Sequence, residues 1–263
     1  MEDLPKGLAN SGAVEIGKLL RSISGGKVLD VATQKGDFIN TLMKTLKDYN
    51  SFVGIDISFK KIESLRKEFE KYSVKFIEMN AENLEFKNNS FDTVSISHSL
   101  HHLEKINEVL TEMKRVLKHD GYFIIQEPFC DGDQSQAQQT EILQHHWGSE
   151  IDTLLDIPHN KTFTKQELKR IVMKLGLREL KTIESTHFVK CLYCEEKFDC
   201  EDPKNKNIID FATKEIDRDL NRLSKLKNHP DFKKLKEEGE KLKKRVKNTG
   251  SASASHIFFI GKK

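Results

Sequence analysis

The sequence lacks the run of roughly 20 consecutive apolar residues that a membrane-spanning helix requires. Its first twelve residues, MEDLPKGLANSG, do not show the basic-then-apolar order of a secretory signal peptide. Cysteine is scarce, with four residues in 263, and thiols of a cytosolic chain remain reduced. We therefore expect a cytoplasmic protein that does not associate with membranes.

An excess of one charge is also missing, since the net charge is only +3, and the composition as a whole does not indicate nucleic-acid binding. The charge is unevenly distributed, however. Residues 203–247 contain 15 Lys and Arg against 8 Asp and Glu. A solvated lysine-rich face is the simpler interpretation of this region, and a site for RNA or an acidic partner is the alternative.

The first half of the chain alternates short apolar runs with amphipathic segments. Five apolar runs predict strands at 27–32, 52–57, 74–79, 91–97 and 122–127. Helical spacing of apolar residues predicts helices at 13–23, 38–46, 59–72 and 103–118. This alternation is typical of an α/β fold with a doubly wound, mostly parallel sheet. Ligands of such sheets bind at the carboxyl ends of the strands.

The second half continues this sheet around an insertion. A capping pattern at Thr164 begins a helix, and two charged helices at about 204–227 and 231–247 precede a last strand. We expect seven strands with an inserted helical hairpin. The predicted parts are a cofactor-binding half (1–128), a substrate-cover segment (129–163), a C-terminal part of the same sheet (164–202 and 249–263) and the basic hairpin (203–248).

Polar residues follow the predicted strands. Asp56 ends the second strand about 20 residues after Gly36, an offset suited to an acidic residue that accepts hydrogen bonds from ribose. Asn80 and Ala81 follow the third strand, where a polar side chain and a backbone N–H could bind an adenine edge. The fourth strand leads directly into three histidines at the mouth of the sheet, which are His98, His101 and His102.

Five stretches occur in a characteristic order, namely VLDVATQKGDF, VGIDIS, EMNAENLEF, FDTVSISHSLHHL and EMKRVLKHDGYFIIQEP. In this order and spacing the chain resembles the class I S-adenosylmethionine-dependent methyltransferases. It looks most like the small-molecule branch that includes the ubiquinone and menaquinone C-methyltransferases. The similarity covers about residues 25–128, with a weaker match in TFTKQELKRIVMKLG.

The resemblance implies S-adenosylmethionine as the cofactor and a Rossmann-like methyltransferase fold. Residues from Asp30 to Gly36 would face the methionine part of the cofactor. Asp56 would bind the ribose, and Asn80 with Ala81 would bind the adenine. The implied cofactor contacts are Asp30, Ala32, Gln34, Gly36, Asp56, Ile57, Asn80, Ala81 and His98.

Three positions depart from the family pattern. Ala32 and Gln34 stand where the family usually has glycine, and Asn80 stands where it often has aspartate. Alanine is a mild change if its φ stays negative. Gln34 would cost on the order of 1 kcal/mol or more if its backbone must be left-handed. We expect cofactor binding to be retained.

Methyl transfer from a sulfonium requires no metal, but it often requires a base that deprotonates the acceptor. His101 and His102 are the candidate catalytic bases, because imidazole titrates near neutrality. The alternative is that one of them packs at a helix N-terminus. No resident metal is expected. A metal site formed by Asp131, His145, His146 and His159 is the weaker alternative, because adjacent histidines point to different faces of a helix.

Two interpretations compete for the polar segment after Glu127. Its candidate acceptor-binding residues, which would contact a polar or aromatic small molecule, are Gln139, His145, His146 and Trp147. Alternatively, the segment is a solvated helix with one buried aromatic side chain. The single C-x-x-C at Cys191 and Cys194 is a weak zinc signal without a second pair, so ordinary thiols are favoured over a site for a soft substrate.

The sequence thus predicts an S-adenosylmethionine-dependent methyltransferase that acts on a small-molecule acceptor, as a monomer or a homodimer. Two alternatives remain open. One is a methyltransferase of RNA or protein that grips its substrate with the basic hairpin. The other is a catalytically inactive scaffold that keeps the cofactor fold, which the residues at Ala32 and Gln34 suggest.

Overall fold

The structure, a computed structural model, describes residues 12–185 and 202–263. The strands in these ranges are β1 (Lys27–Val31), β2 (Ser51–Asp56), β3 (Val74–Glu78), β4 (Phe91–Ser97), β5 (Leu117–Pro128), β6 (Arg178–Ser185) and β7 (His256–Lys262). The α-helices are α1 (Ala13–Leu20), α2 (Asp37–Thr45), α3 (Phe59–Glu68), α4 (Ile106–Val116), α5 (Gln136–Leu154), α6 (Lys165–Met173), α7 (Lys206–Leu223) and α8 (Phe232–Thr249).

All seven strands form one sheet in the order β3-β2-β1-β4-β5-β7-β6. Strand β7 runs antiparallel to both of its neighbours, and the other pairs are parallel. The predicted doubly wound, mostly parallel sheet is therefore confirmed. The strand order reverses between β1 and β4, and the carboxyl ends of these two strands are where ligands of such sheets bind.

The central strands of the sheet are buried on both faces, because helices cover each side. Val28 belongs to an apolar cluster on one face, with side chains of α1 and α2 such as Ile16 and Leu42. Leu29 and Val31 belong to the cluster on the other face. This cluster includes Val109 and Met113 of α4 and Leu168 of α6. Strand β5 begins five residues before its predicted start, because Leu117 already pairs with Phe91.

The segment predicted as a substrate cover contains a long helix, α5. Ser135 begins it with a reciprocal cap, in which its hydroxyl accepts from the Gln138 N–H and the Gln138 side chain accepts from the Ser135 N–H. Helices α7 and α8 lie in the chain between β6 and β7 and pack on each other, as their apolar stripes predict. Their third partner, α5, was not predicted.

Trp147 of α5 explains why three helices join in this layer. Its ring is buried among side chains of α7 and α8, and its Nε1 donates to the Leu235 carbonyl at 2.8 Å. Gly239 of α8 allows the close approach, since a Cβ there would lie 2.7 Å from Cζ2 of Trp147. The aromatic side chain is buried, as one of the two interpretations predicts, but α5 is not the solvated helix of that interpretation, because many of its other residues are buried as well.

Two further expectations concern the rest of the chain. Within the described ranges, no helix combines the length and the apolarity that crossing a membrane would need. Cys130 is a half-buried free thiol, and the C-x-x-C segment with Cys191 and Cys194 lies outside the described residues.

Candidate functional site

The loop after β1 rests on the carboxyl end of β2. The Thr33 N–H donates to the Ile55 carbonyl at 2.9 Å, and the Gln34 N–H donates to Oδ2 of Asp56 at 3.0 Å. The loop then enters α2 at Gly36, whose carbonyl accepts from the Asn40 N–H at 2.9 Å. The loop after β1 is thereby hydrogen-bonded to the carboxyl end of the adjacent parallel strand β2.

This loop places alternate residues in the left-handed region, with φ values of 53° at Ala32, 46° at Gln34 and 76° at Gly36. The expectation of a mild change at Ala32 required a negative φ and is wrong. A left-handed backbone costs roughly 1–2 kcal/mol for a residue other than glycine. The loop thus keeps the backbone conformation of a glycine-rich turn, although the side chains of Ala32 and Gln34 disfavour that conformation.

Asp56 lies at this carboxyl end of β2. The residue is 6% exposed, and its carboxylate accepts from two backbone N–H groups, those of Gln34 and of Ser58, each at 3.0 Å. The side chain of the next residue, Ile57, is 74% exposed. A fixed carboxylate with remaining lone pairs suits ribose hydroxyls, and an exposed apolar side chain beside it suits the face of an adenine ring. These residues therefore fit S-adenosylmethionine.

Asn80 and Ala81 follow β3, the next strand of the sheet. Asn80 is exposed, and its Oδ1 accepts from the Glu82 N–H at 2.9 Å, which closes a short turn. Ala81 is buried and joins the core below. The Asn80 oxygen predicted for the adenine amino group therefore already has one donor within its own turn, and only its second lone pair is available.

Asp30 lies at the end of β1, where it is 1% exposed. The hydroxyl of Ser95 on β4 donates to its Oδ1 at 2.7 Å. Burial raises the pKa of the Asp30 carboxyl to about 7, although the hydrogen bond from Ser95 acts against this shift. Asp30 thus lies at the switch point of the sheet, as a carboxyl that is only partly ionised at neutral pH.

His98 follows β4 with a positive φ of 49°. Its ring stacks on the ring of His256, with 4.3 Å between the centroids. The backbone N–H of His98 donates to the Gln126 carbonyl at 2.9 Å. Burial lowers the pKa of His98 to about 4, so its ring is neutral at physiological pH. The stacking partner could not be predicted, because His256 lies far along the chain in the last strand.

His101 and Glu127 form a buried pair on the neighbouring strand ends. The His101 ring contacts the Glu127 carboxylate through Nδ1. The same carboxylate accepts from the N–H groups of Ser99 at 3.1 Å and of Leu100 at 3.3 Å. Glu127 therefore fixes both the turn after β4 and the orientation of the His101 ring. Sequence reasoning missed it, although its place at the end of β5 was a usable signal.

Four histidines meet beside this pair, and we call His101, His102, His145 and His159 the histidine cluster. One ring nitrogen of each lies within 4.8 Å of the others. Nε2 of His159 is 3.0 Å from Nε2 of His145. His102 is the exposed member of the group. The two predicted catalytic histidines thus share a site with one predicted acceptor-binding residue, His145, and with His159.

The other predicted acceptor residues lie elsewhere. Gln139 donates to the Gln134 carbonyl at 3.0 Å and is close to Arg245 of α8. His146 is not a member of the cluster, and its buried Nε2 has no hydrogen-bond partner in the part of the chain that the structure describes. Asp131, considered as a metal ligand, accepts from the Lys165 N–H at the start of α6. The metal site weighed from the sequence is therefore not assembled as proposed there.

Glu141 of α5 is a further titratable residue that the sequence did not indicate. Burial raises the pKa of its carboxyl to about 7, while a hydrogen bond from the Ala254 backbone and the charge of His101 oppose that rise. The turn after β4 approaches the loop after β1 at Ser99, whose hydroxyl donates to the Ser97 carbonyl at 2.7 Å and lies 3.4 Å from the Ala32 carbonyl. The histidine cluster therefore adjoins the cofactor loop.

Comparisons with known proteins agree with this geometry. Residues 29–125 match the family model of a methyltransferase domain. The chain is similar to the ubiquinone/menaquinone biosynthesis C-methyltransferase UbiE of Rickettsia prowazekii, with 36% identity over 104 residues, 37% of this chain and 42% of that protein. The UbiE protein of Geotalea uraniireducens is 27% identical over 206 residues, 68% of this chain and 82% of that protein. The chain thus spans less than half the length of the Rickettsia relative.

Solved structures show the same fold at low sequence identity. The YcgJ protein of Bacillus subtilis has a TM-score of 0.57 and 15% identity, covering 96% of this chain and 97% of that one. Phosphoethanolamine N-methyltransferase 2 of Haemonchus contortus, solved with S-adenosylhomocysteine, has a TM-score of 0.53 and 16% identity. The match covers 95% of this chain and 52% of that one.

Domain match and sequence relatives show that residues 29–125 are a methyltransferase domain similar to the class I S-adenosylmethionine-dependent methyltransferases, and the solved structures show the same fold. The sequence relatives reported above are ubiquinone/menaquinone C-methyltransferases. The predicted fold is confirmed, and the resemblance read from the sequence is supported over residues 29–125.

Proposed function

We propose that the protein transfers the methyl group of S-adenosylmethionine to a small-molecule acceptor. The observation that carries this proposal is the buried Asp56 carboxylate, which holds the Gln34 N–H of the cofactor loop and lies beside the exposed Ile57. This arrangement offers acceptors for the ribose and an apolar surface for the adenine. The bound cofactor supplies an electrophilic methyl group, and the residues of this chain position it and the acceptor.

On the acceptor side, the histidine cluster is the group that can handle a proton. Contact with Glu127 occupies Nδ1 of His101 and leaves its Nε2 for another partner. A carboxylate that orients an imidazole in this way is a common support for a general base. We propose that the cluster, rather than a single free imidazole, assists removal of the acceptor proton.

The chemistry of the acceptor follows from the relatives and from this cluster. The similar proteins of Rickettsia prowazekii and Geotalea uraniireducens are C-methyltransferases of quinone biosynthesis. A hydroxylated aromatic compound carries a proton of the kind that such a cluster can remove. We propose this class of small molecule, methylated by a cytoplasmic monomer or homodimer.

The basic hairpin provides less support for RNA or protein as the substrate. Lys243 pairs with Asp217 at 2.7 Å, and Arg245 donates to the Thr140 hydroxyl at 2.9 Å. Arg222 pairs with Asp152 of α5. These cations join the helices of this layer to each other. Lys233, Lys236 and Lys241 of α8 remain exposed, so the basic face itself does not decide the substrate. A small-molecule acceptor remains the favoured proposal because the sequence relatives act in quinone biosynthesis.

Methyl-labelled S-adenosylmethionine separates these substrates directly. The purified protein is incubated with a panel of phenols and quinols, with total RNA and with protein, and the label is measured in each. We expect label in the phenol or quinol fraction, at least tenfold less with Asp56→Ala, and unchanged with Asp210→Ala on the exposed surface of α7. Label found only in RNA or protein would refute the small-molecule proposal.

A further inference from the structure

We infer that the histidine cluster is a binding site for a divalent transition-metal ion, with Zn²⁺ as the best match. The four side chains come from three separate parts of the chain. His101 and His102 follow β4, His145 lies on α5, and His159 lies in the segment between α5 and α6. The fold thus brings together ligands that no local motif connects.

The spacing of the nitrogens suits one ion. Two zinc–nitrogen bonds of about 2.1 Å at a tetrahedral angle place their nitrogens about 3.4 Å apart. The two Nε2 atoms of His145 and His159 are 3.0 Å apart, and one nitrogen from each of the four rings falls within 4.8 Å of the rest. Small rotations of the rings therefore suffice to place the four nitrogens around a metal ion.

Three of the rings are oriented by a partner on Nδ1. His101 contacts Glu127, His159 contacts Asp152 at 2.7 Å, and the Thr162 hydroxyl lies 3.1 Å from His145. Each contact leaves Nε2 as the atom that faces the cluster. A carboxylate or hydroxyl behind each imidazole is the arrangement that fixes the tautomer and orientation of metal-bound histidine.

Further contacts support these partners in turn. Arg222 of α7 pairs with Asp152, so the basic hairpin braces the residue behind His159. The Asn160 N–H donates to the His101 carbonyl at 2.7 Å, which ties the segment carrying His159 to the turn after β4. The cluster is therefore a fixed part of the fold, and its position does not depend on one flexible loop.

The ligand type selects the class of metal. All four members of the cluster are histidines. Imidazole suits Zn²⁺, Cu²⁺, Ni²⁺ and iron, whereas Mg²⁺ and Ca²⁺ prefer oxygen ligands.

The site goes beyond the proposed methyl transfer and does not need it in order to bind metal. Only its chemical role rests on the proposed function. The turn after β4 that carries His101 and His102 adjoins the loop after β1 near Ser99 and Ala32. A bound ion that exchanged the exposed His102 for the acceptor would act as a Lewis acid, in place of a free imidazole base, to favour loss of the acceptor proton.

A titration of the full-length, tag-free protein tests the site. The protein is treated with a chelator and desalted, and Zn²⁺ is then added in a calorimeter and Co²⁺ in an absorption cell. We expect one ion per chain, with a cobalt spectrum that lacks sulfur charge-transfer absorption. His145→Ala and His159→Ala should each weaken binding at least 100-fold. His119→Ala, at an exposed histidine outside the cluster, should leave it unchanged.

Two further variants distinguish a loss of metal binding from a loss of folding. The exposed His102→Ala should weaken binding at least tenfold without changing the circular dichroism spectrum, and Asp152→Asn should weaken it 10- to 100-fold. No stoichiometric binding by the wild type would overturn the site. So would unchanged affinity in His145→Ala and His159→Ala, or loss of binding in Cys191→Ser/Cys194→Ser. Because no cofactor is present, these results are independent of the methyl-transfer assay.

Discussion

The two halves of the carboxyl edge are built from different chemistry. The cofactor half, at the ends of β1, β2 and β3, uses backbone N–H groups, carboxylates and left-handed turns. The acceptor half, after β4 and β5 and on α5, uses imidazole rings with carboxylates or hydroxyls behind them. The first half is suited to a bound ligand of fixed shape, and the second is suited to proton or metal chemistry.

The two halves also differ in how strongly they are coupled to folding. Ile57 and Asn80 on the cofactor half are exposed, so changes there should alter binding more than stability. Glu127 and His101 on the acceptor half are buried and satisfy each other and the turn between them. Changes there should alter stability first. The predictions below test this difference, in order of expected effect.

Glu127→Ala should produce the largest loss of stability. It leaves the His101 ring and the N–H groups of the turn after β4 without their buried acceptor. Each buried donor left without its acceptor costs about 1–3 kcal/mol, and this change affects several of them at once, so a loss of about 3–5 kcal/mol is expected. Urea denaturation followed by circular dichroism measures the change. Glu82→Ala, which breaks only the exposed pair with Lys105, should cost far less. Equal effects of the two changes would refute the coupling.

Asp30→Asn should change how stability depends on pH. Burial raises the folded pKa of Asp30 from 3.8 to about 7, so the carboxyl is protonated in both states below pH 4. As the pH rises, the unfolded chain loses this proton first, and the wild type loses stability until the pH passes about 7. Relative to Asp30→Asn, this loss should be on the order of 2–4 kcal/mol between pH 4 and 8.

Denaturation of both proteins at a series of pH values provides the measurement. The difference in the free energy of unfolding, wild type minus variant, should fall steadily over this range and then level off. A difference that stays constant with pH, or that rises, would show that Asp30 is ionised in the folded protein at acid pH.

Gln34→Gly should have the smallest effect and the opposite sign. Its φ of 46° is left-handed, so glycine relieves strain in the folded loop at some cost from the greater freedom of the unfolded chain. A net gain of about 0.5–1 kcal/mol is expected in thermal or urea unfolding. Lys35→Gly, in the same loop but without a positive φ, should instead destabilise the protein by a similar amount. A loss of stability in Gln34→Gly would contradict the strain.

The cofactor half could be predicted from the sequence because its parts are local. Each residue lies at or just after the end of its own strand, so a strand pattern places Asp56 and Asn80 without knowledge of distant contacts. The mostly parallel sheet and the helical hairpin followed from apolar periodicity in the same way. Even here, the left-handed φ at Ala32 was missed, because the loop conformation depends on its attachment to β2.

The acceptor half could not be predicted in the same way, because its residues are far apart in the chain. His101 meets His159 and Glu127 only after the sheet has formed and α5 has packed on α7 and α8. Helical periodicity correctly separated His145 from His146, but it could not show that His145 faces the turn after β4. Trp147 had the composition of a binding residue and is a packing residue instead.

The most direct test of the central claim is calorimetric binding of S-adenosylmethionine and S-adenosylhomocysteine to the wild type and to Asp56→Ala. We predict that the wild type binds both ligands. The variant, still folded by circular dichroism, should bind at least tenfold more weakly, which corresponds to about 1.4 kcal/mol. Equal affinity of the two proteins, or no binding by the wild type, would contradict the assignment of this edge as the cofactor site.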